Sequence, residues 1–226
     1  MLVTIPDLLT EAELAQCRQG LAEAAWEDGR RTAGYQAARV KDNAQLAEDH
    51  PVARVLGEVV LGALQRSKLF ISSALPLRVF PPMFNRYRGG QQFGLHVDTA
   101  IRQDAVSGNR LRSDLSATLF LADPDSYDGG ELIVEDSYGA HAVKLPAGHM
   151  VVYPASSLHR VAPVTRGERL GAFFWMQSMV RDNEQRGLLY DLDVSIQHLA
   201  VAAPGHDAVV QLTGIYHNLI RRWAEV

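Results

Sequence analysis

From about residue 71 to residue 178 the chain breaks into short β-rich segments, and this texture limits the fold more than anything else in the sequence. The segments are 77–87, 93–98, 115–121, 130–135, 141–145, 149–153, 159–164 and 169–178. Between them lie RGGQ, DPDSYDGG, DSYG, LPAGH, YPASS and TRGE, where Gly, Pro, Asp and Ser supply the angles and local hydrogen bonds of tight turns. Short strands at this spacing predict a double-sheet jelly roll, the double-stranded β-helix, or a barrel. Pro81 and Pro82 interrupt the first segment, which is therefore expected at a sheet edge or a bulge.

Helical patterns flank the strands, so the expected class is α+β. Thr10 with Glu13 forms a capping-box pattern, and Leu14, Cys17, Leu21 and Ala24 follow at helical spacing. The polar stretch 30–49 reads as loop or short extended pieces. Val52, Val55, Leu56, Val59, Val60 and Ala63 then share one broad helical face. After Ser178 two more helices are expected, separated by Ala203-Pro204-Gly205. On the second, Leu212, Ile215, Tyr216, Leu219, Ile220 and Trp223 make an apolar stripe that fits core packing or, in a homo-oligomer, a dimer contact. The expected division is a domain 1–178, helical over 1–70 and jelly roll over 71–178, with a helical appendage at 179–226.

Bulk properties narrow the function classes. A net charge of −4 gives no general attraction for nucleic acid. The single cysteine, Cys17, excludes an intramolecular disulfide and a Cys-rich zinc site. The N-terminus does not read as a signal peptide, and no apolar run approaches a membrane span. The expectation is a cytoplasmic protein without a membrane partner.

GLHVDTA, residues 94–100, carries the first chemical signal. On a strand, His96 and Asp98 point to the same side and can reach one point. His159 heads a later strand, which a jelly roll can bring to face the first across the interior. Two imidazoles and a carboxylate form the facial triad of non-haem Fe(II) oxygenases, which leaves positions open for substrate and O2. Arg169 opens a strand on which Arg169, Gly171, Phe173 and Trp175 share a face. A guanidinium facing an apolar interior needs an anion, and a carboxylate matches it with two parallel hydrogen bonds. A two-residue hairpin at Arg166-Gly167 would put His159 and Arg169 on opposite faces, so a connection of odd length or a bulge is predicted, which turns both inward. Arg169 would then stand about 15 Å from the metal, a gap for a five-carbon diacid. A hydrolytic metalloenzyme or a non-catalytic binding module could also use the triad, without needing Arg169.

HVD, His159 and RGERLGAFFW together resemble the Fe(II)- and 2-oxoglutarate-dependent dioxygenases. NRYRGGQQFGLHVDTAI, RSDLSATLFLADPDSYDGGELIVED, VVYPASSLHRVAPVTRGER and DLDVSIQHLAVAAPGHD are closer to one branch, the bacterial PKHD-type hydroxylases, relatives of prolyl and lysyl hydroxylases. The resemblance implies that His96, Asp98 and His159 bind Fe(II) and that Arg169 binds the distal carboxylate of 2-oxoglutarate. It further implies O2 as cosubstrate, ascorbate as an added cofactor, and for some members an association with iron uptake. Related enzymes often have a tyrosine assisting the arginine; its counterpart here is Phe120, which cannot donate. Tyr87, Ser116 and Thr118 are the candidates to supply a hydroxyl instead. His141, His149 and Glu131 are expected to take no part, and the polar loop 99–113, with Arg102, Arg110 and Arg112, reads as a solvated loop or a lid.

Overall fold

The computed structural model describes residues 1–104, 108–137 and 139–226. Ahead of the β-rich part come β1 (Val3–Ile5), α1 (Glu11–Ala22), β2 (Glu27–Asp28), β3 (Lys41–Asp42), β4 (Ala44–Gln45), α2 (Pro51–Arg66) and α3 (Lys68–Ala74). The β-rich part holds β5 (Pro76–Val79), β6 (Met83–Arg88), β7 (Gln92–His96), β8 (Ile101–Gln103), β9 (Arg110–Arg112), β10 (Leu115–Phe120), β11 (Asp128–Gly129), β12 (Leu132–Asp136), β13 (Gly139–Val143), β14 (Met150–Pro154), β15 (His159–Val161), β16 (Val164–Arg166) and β17 (Glu168–Ser178). Two helices follow, α4 (Asn183–Ala202) and α5 (Asp207–Trp223).

Two antiparallel sheets form the jelly roll. The larger runs β1-β14-β10-β17-β6-β4-β2, with β5 also on β17, and the smaller runs β13-β12-β15-β7-β3. β10 shows why the sequence of the larger sheet lacks polar alternation. Leu115, Ala117 and Leu119 pack outward with Leu21, Leu56, Val60 and Leu64 of the helical layer. Phe120 points the other way, into a second core with Leu132, Val134 and Val161 of the smaller sheet. Both faces are covered, so every residue of the strand is buried.

Thr10 caps α1 with the expected reciprocal bonds to Glu13, and Cys17 and Leu21 are its buried residues. The broad face of α2 is narrower than expected: Leu56, Val60 and Ala63 are buried, whereas Val55 is 57% exposed. Helix continues to Ala74, beyond residue 70, because Ser67 ends α2 and caps α3. The first β segment is cut at Phe80–Pro82 into β5 and β6, both paired with β17. β6 is no edge strand, since β4 flanks its other side; the prolines, which lack N–H donors, fall in the gap. The segment 99–113 is a hairpin, β8 with β9, rather than plain loop; its residues 105–107 lie outside the described residues. Arg112 there is held by Asp114 and Glu225.

α4 starts at Asp182, which caps Gln185, and ends before Ala203. On α5, Tyr216, Leu219, Ile220 and Trp223 pack on Leu75, Val180 and Leu189. That part of the stripe therefore serves the core, against α4 and the residue Val180 after β17, while Ile215 is 50% exposed. Among the described residues, no helix is long and apolar enough to cross a membrane.

Candidate metal centre

β7 and β15 are neighbours in the smaller sheet, and their register sets His96 directly beside His159. The two imidazoles are thus a cross-strand pair, not residues facing each other across the interior. Asp98 lies past the end of β7, and its carboxylate still returns to the pair. One ligand atom from each of the three lies within 4.8 Å of the others. His159 Nε2 stands 3.7 Å from Asp98 Oδ2.

Backbone carbonyls fix the tautomers. His96 Nδ1 is 2.8 Å from Gly94 O, and His159 Nδ1 is 3.0 Å from Ser157 O. A carbonyl oxygen only accepts, so each Nδ1 carries a proton, which makes Nε2 the ligand atom of each ring in its neutral form. Burial, and next the neighbouring His159, hold His96 well below the usual imidazole range, so the ring is neutral at pH 7. Phe93 stacks on His96 at 3.6 Å between centroids, and Tyr153 packs edge-on to His159 at 5.2 Å. Ser116, on β10 of the opposite sheet, donates to Asp98 Oδ2 at 2.6 Å. The serine therefore orients the carboxylate across the gap between the sheets.

Arg169 is 1% exposed and pairs across β17 and β6 with Tyr87. Its guanidinium lies 5.4 Å from the Tyr87 ring centroid and 5.2 Å from that of Phe120. Nε has no hydrogen-bond partner, and among the described residues Arg169 makes no ion pair. Removing such a charge from water costs several kcal/mol unless an anion meets it. Gly130, at φ +68°, makes room for this side chain: an added Cβ would stand 3.1 Å from Arg169 Cδ. No hairpin joins the strands of His159 and Arg169. Ala162-Pro163 breaks the first after Val161, β16 pairs with β11, and Gly167 at φ +71° turns the chain into the other sheet. The parity of a hairpin connection therefore does not arise, and opposite sheets aim the two residues into one cavity.

That cavity, of about 80 Å³, is lined by all four of these residues and by Tyr87, Ser116 and Thr118. Burial pushes the Tyr87 hydroxyl up to about 12, so it stays a proton donor at neutral pH. Lys41, Asn85, Arg102 and Tyr153 also line the cavity and were not assigned to the site from the sequence. For Tyr153 the usable signal is alternation in MVVYP, but only the register opposite Ser116 shows which face is inward. Asn85 is buried, with Oδ1 unpartnered. His141 pairs with Asp136 and His149 with Asp7, and neither lines the cavity.

Comparison with known proteins identifies the family. The 2OG-Fe(II) oxygenase superfamily profile matches residues 82–177, and the PKHD-type hydroxylase C-terminal domain matches residues 183–225. The chain is 60% identical over 228 residues to a PKHD-type hydroxylase of Xanthomonas campestris pv. campestris (strain B100), covering 100% of both. Among solved structures it resembles a Pseudomonas putida prolyl-4-hydroxylase, with TM-score 0.51 and 23% identity over 78% of this chain and 92% of that one. A Trichoplax adhaerens prolyl hydroxylase, solved with a hypoxia inducible factor peptide fragment, gives TM-score 0.57 and 14% identity over 83% of this chain and 86% of that one. Those two likenesses concern the fold.

Proposed function

We propose, from the premise that this chain belongs to the PKHD-type hydroxylase family within the 2OG-Fe(II) oxygenase superfamily, that His96, Asp98 and His159 hold the iron and Arg169 the distal carboxylate of 2-oxoglutarate. The chain is a hydroxylase, and its superfamily uses Fe(II), 2-oxoglutarate and O2. When bound, the metal and cosubstrate supply the oxidising power: 2-oxoglutarate is split to succinate and CO2, and one atom of O2 enters a C–H bond of the substrate.

The residues present fit that pair of ligands. Two imidazole Nε2 atoms and one carboxylate suit Fe(II), and the carboxylate lowers its charge. Arg169 offers its guanidinium to a carboxylate, with the Tyr87 and Phe120 ring centroids 5.4 and 5.2 Å from its Cζ. Tyr87 and Thr118, lining the same cavity, are the hydroxyl donors assigned beside Arg169. Ser116 is committed to Asp98 and acts as a positioning residue. The single observation that carries the reading is a buried, anion-less guanidinium in the cavity of the triad. A hydrolytic metalloenzyme would have no use for it. Ascorbate, a link to iron homeostasis and a cytoplasmic location enter on kinship and composition alone. A boundary near 178 between the jelly roll and the helices belongs to the same proposal.

Purified protein loaded with Fe(II) without air is expected to bind 2-oxoglutarate, and to release succinate once O2 is admitted. Protein that does neither overturns the reading. Ser116→Ala is expected to weaken Mn(II) binding by about 10–100-fold, the usual effect of losing the partner behind a metal ligand. A competition titration against a chelator reads this directly. Urea unfolding of the metal-free variant should show a loss of only about 1–3 kcal/mol, that of one buried hydrogen bond to a charge.

A further inference from the structure

Two cations in the cavity lining, Lys41 and Arg102, make no ion pair with a carboxylate among the described residues, although Asp28, Glu48 and Asp98 are near enough to act on them. Asp98 is the one acidic residue in the lining, against Lys41, Arg102 and Arg169. The charge of Fe(II) balances that of 2-oxoglutarate, and Asp98 offsets Arg169. Lys41 and Arg102 are left over. Lys41 is 6% exposed, and its Nζ donates to Gln45 Oε1 at 2.9 Å and Thr32 Oγ1 at 3.2 Å, both neutral groups. Arg102, on β8, lies with Cζ 3.8 Å from the Trp175 ring centroid and makes no ion pair among the described residues. Burial first, and the nearby Arg102 second, lower the Lys41 amine to about 8, with Asp28 and Asp98 opposing more weakly.

Their place in the cavity separates them from the cosubstrate end. Arg169, Phe173 and Trp175 alternate along one face of β17. Lys41 Nζ sits 5.8 Å from the Phe173 ring centroid, and Arg102 lies on Trp175. At ~3.3 Å per residue these rings start about 13 and 20 Å along the strand from Arg169. Lys41 also faces Phe93, the ring stacked on His96. The two cations therefore lie farther along β17 than Arg169, among aromatic walls, and Ser116, the partner of Asp98, is level with Trp175.

We propose that Lys41 and Arg102 form an anion subsite, and that the hydroxylated substrate carries a carboxylate held there beside an apolar body. The inference rests on the oxygenase reading above. A carboxylate fits better than a phosphate. Lys41 has given two of its three N–H donors to Gln45 and Thr32, so the subsite offers one ammonium hydrogen and one planar fork. Phe93, Phe173 and Trp175 supply apolar surface for the rest of the molecule. The carboxylate could belong to a free acid or to a peptide.

The test titrates protein saturated with Mn(II) and 2-oxoglutarate, so that Arg169 is occupied. The probes are phenylacetate against phenylacetamide, and an acetylated Phe-Pro-Gly peptide with a free C-terminus against its carboxamide. In at least one pair the acid is expected to bind about tenfold or more tightly than the amide, as charge-assisted hydrogen bonds imply. The pair that shows the preference identifies the source. Lys41→Met and Arg102→Met should each abolish the preference, while Arg102→Lys keeps part of it and 2-oxoglutarate affinity holds within about twofold. Acids and amides that bind alike, or a preference surviving both methionine variants, overturn the subsite. Wild-type protein that fails to take up 2-oxoglutarate brings down the underlying reading instead. Protein that takes it up without preferring an acid brings down this one alone.

Discussion

Protein carrying His159→Ala loses Mn(II) binding by more than about 100-fold, beyond the effect of removing a partner behind a ligand, and releases no measurable succinate. The variant removes one of two nitrogen donors from a set of three residues, leaving an imidazole and a carboxylate to hold the ion. Stability gives an independent readout. Metal at 100 times its dissociation constant stabilises the wild-type fold by about 2.7 kcal/mol, and at that same concentration the variant should gain only a small part of it. The metal-free variant should still fold. His159 packs on His96 and Tyr153 at the end of a three-residue strand, and the large aliphatic cores lie elsewhere. Undiminished metal binding would mean that the ion sits somewhere other than between these side chains.

Local chemistry made much of this site legible. The triad could be named because HVD and His159 bring metal-ligating residue types to strand ends, and the resemblance then assigned the roles. Arg169 stood out because an arginine beginning the apolar run RLGAFFW is costly without an anion. The capping box at Thr10 and the break at Ala203-Pro204-Gly205 were equally local, and both helices begin and end where those residues require. What stayed hidden depends on pairing between distant strands. KDNAQL is polar and reads as loop or short extended pieces; it forms the latter, but only the pairing of β3 with β7 and β4 with β6 shows that Lys41, Asn43 and Gln45 are buried. No local pattern announces that. The assignment of strands to sheets was likewise invisible, which is why a hairpin between His159 and Arg169 was plausible in sequence and absent in space. The 99–113 segment hid a hairpin because its strands are three residues each, too short for a periodic signal.

Arg169→Met is the variant in which cosubstrate binding and fold stability should move in opposite directions. In the wild-type protein without ligand, the guanidinium is buried, its Nε is unpartnered and, among the described residues, no carboxylate is paired with it. Burying a charge in this way opposes folding, and apolar replacement of buried charges has stabilised other proteins by about 1–4 kcal/mol. Methionine has a similar reach and fits between Tyr87 and Phe120 without a charge. The ligand-free variant is therefore expected to unfold at the same urea concentration as wild type or at a higher one. Its affinity for 2-oxoglutarate, measured with Mn(II) present, should fall by at least about 100-fold, because a buried charge pair that loses one partner costs roughly 3–5 kcal/mol. Metal binding alone should survive, since Arg169 is not among the three ligand residues. A purely structural role would give the reverse pattern: a less stable ligand-free protein that still binds 2-oxoglutarate. An arginine kept buried at a cost to the fold, and needed only when a dianion arrives, is a binding device, and these two titrations separate that from packing.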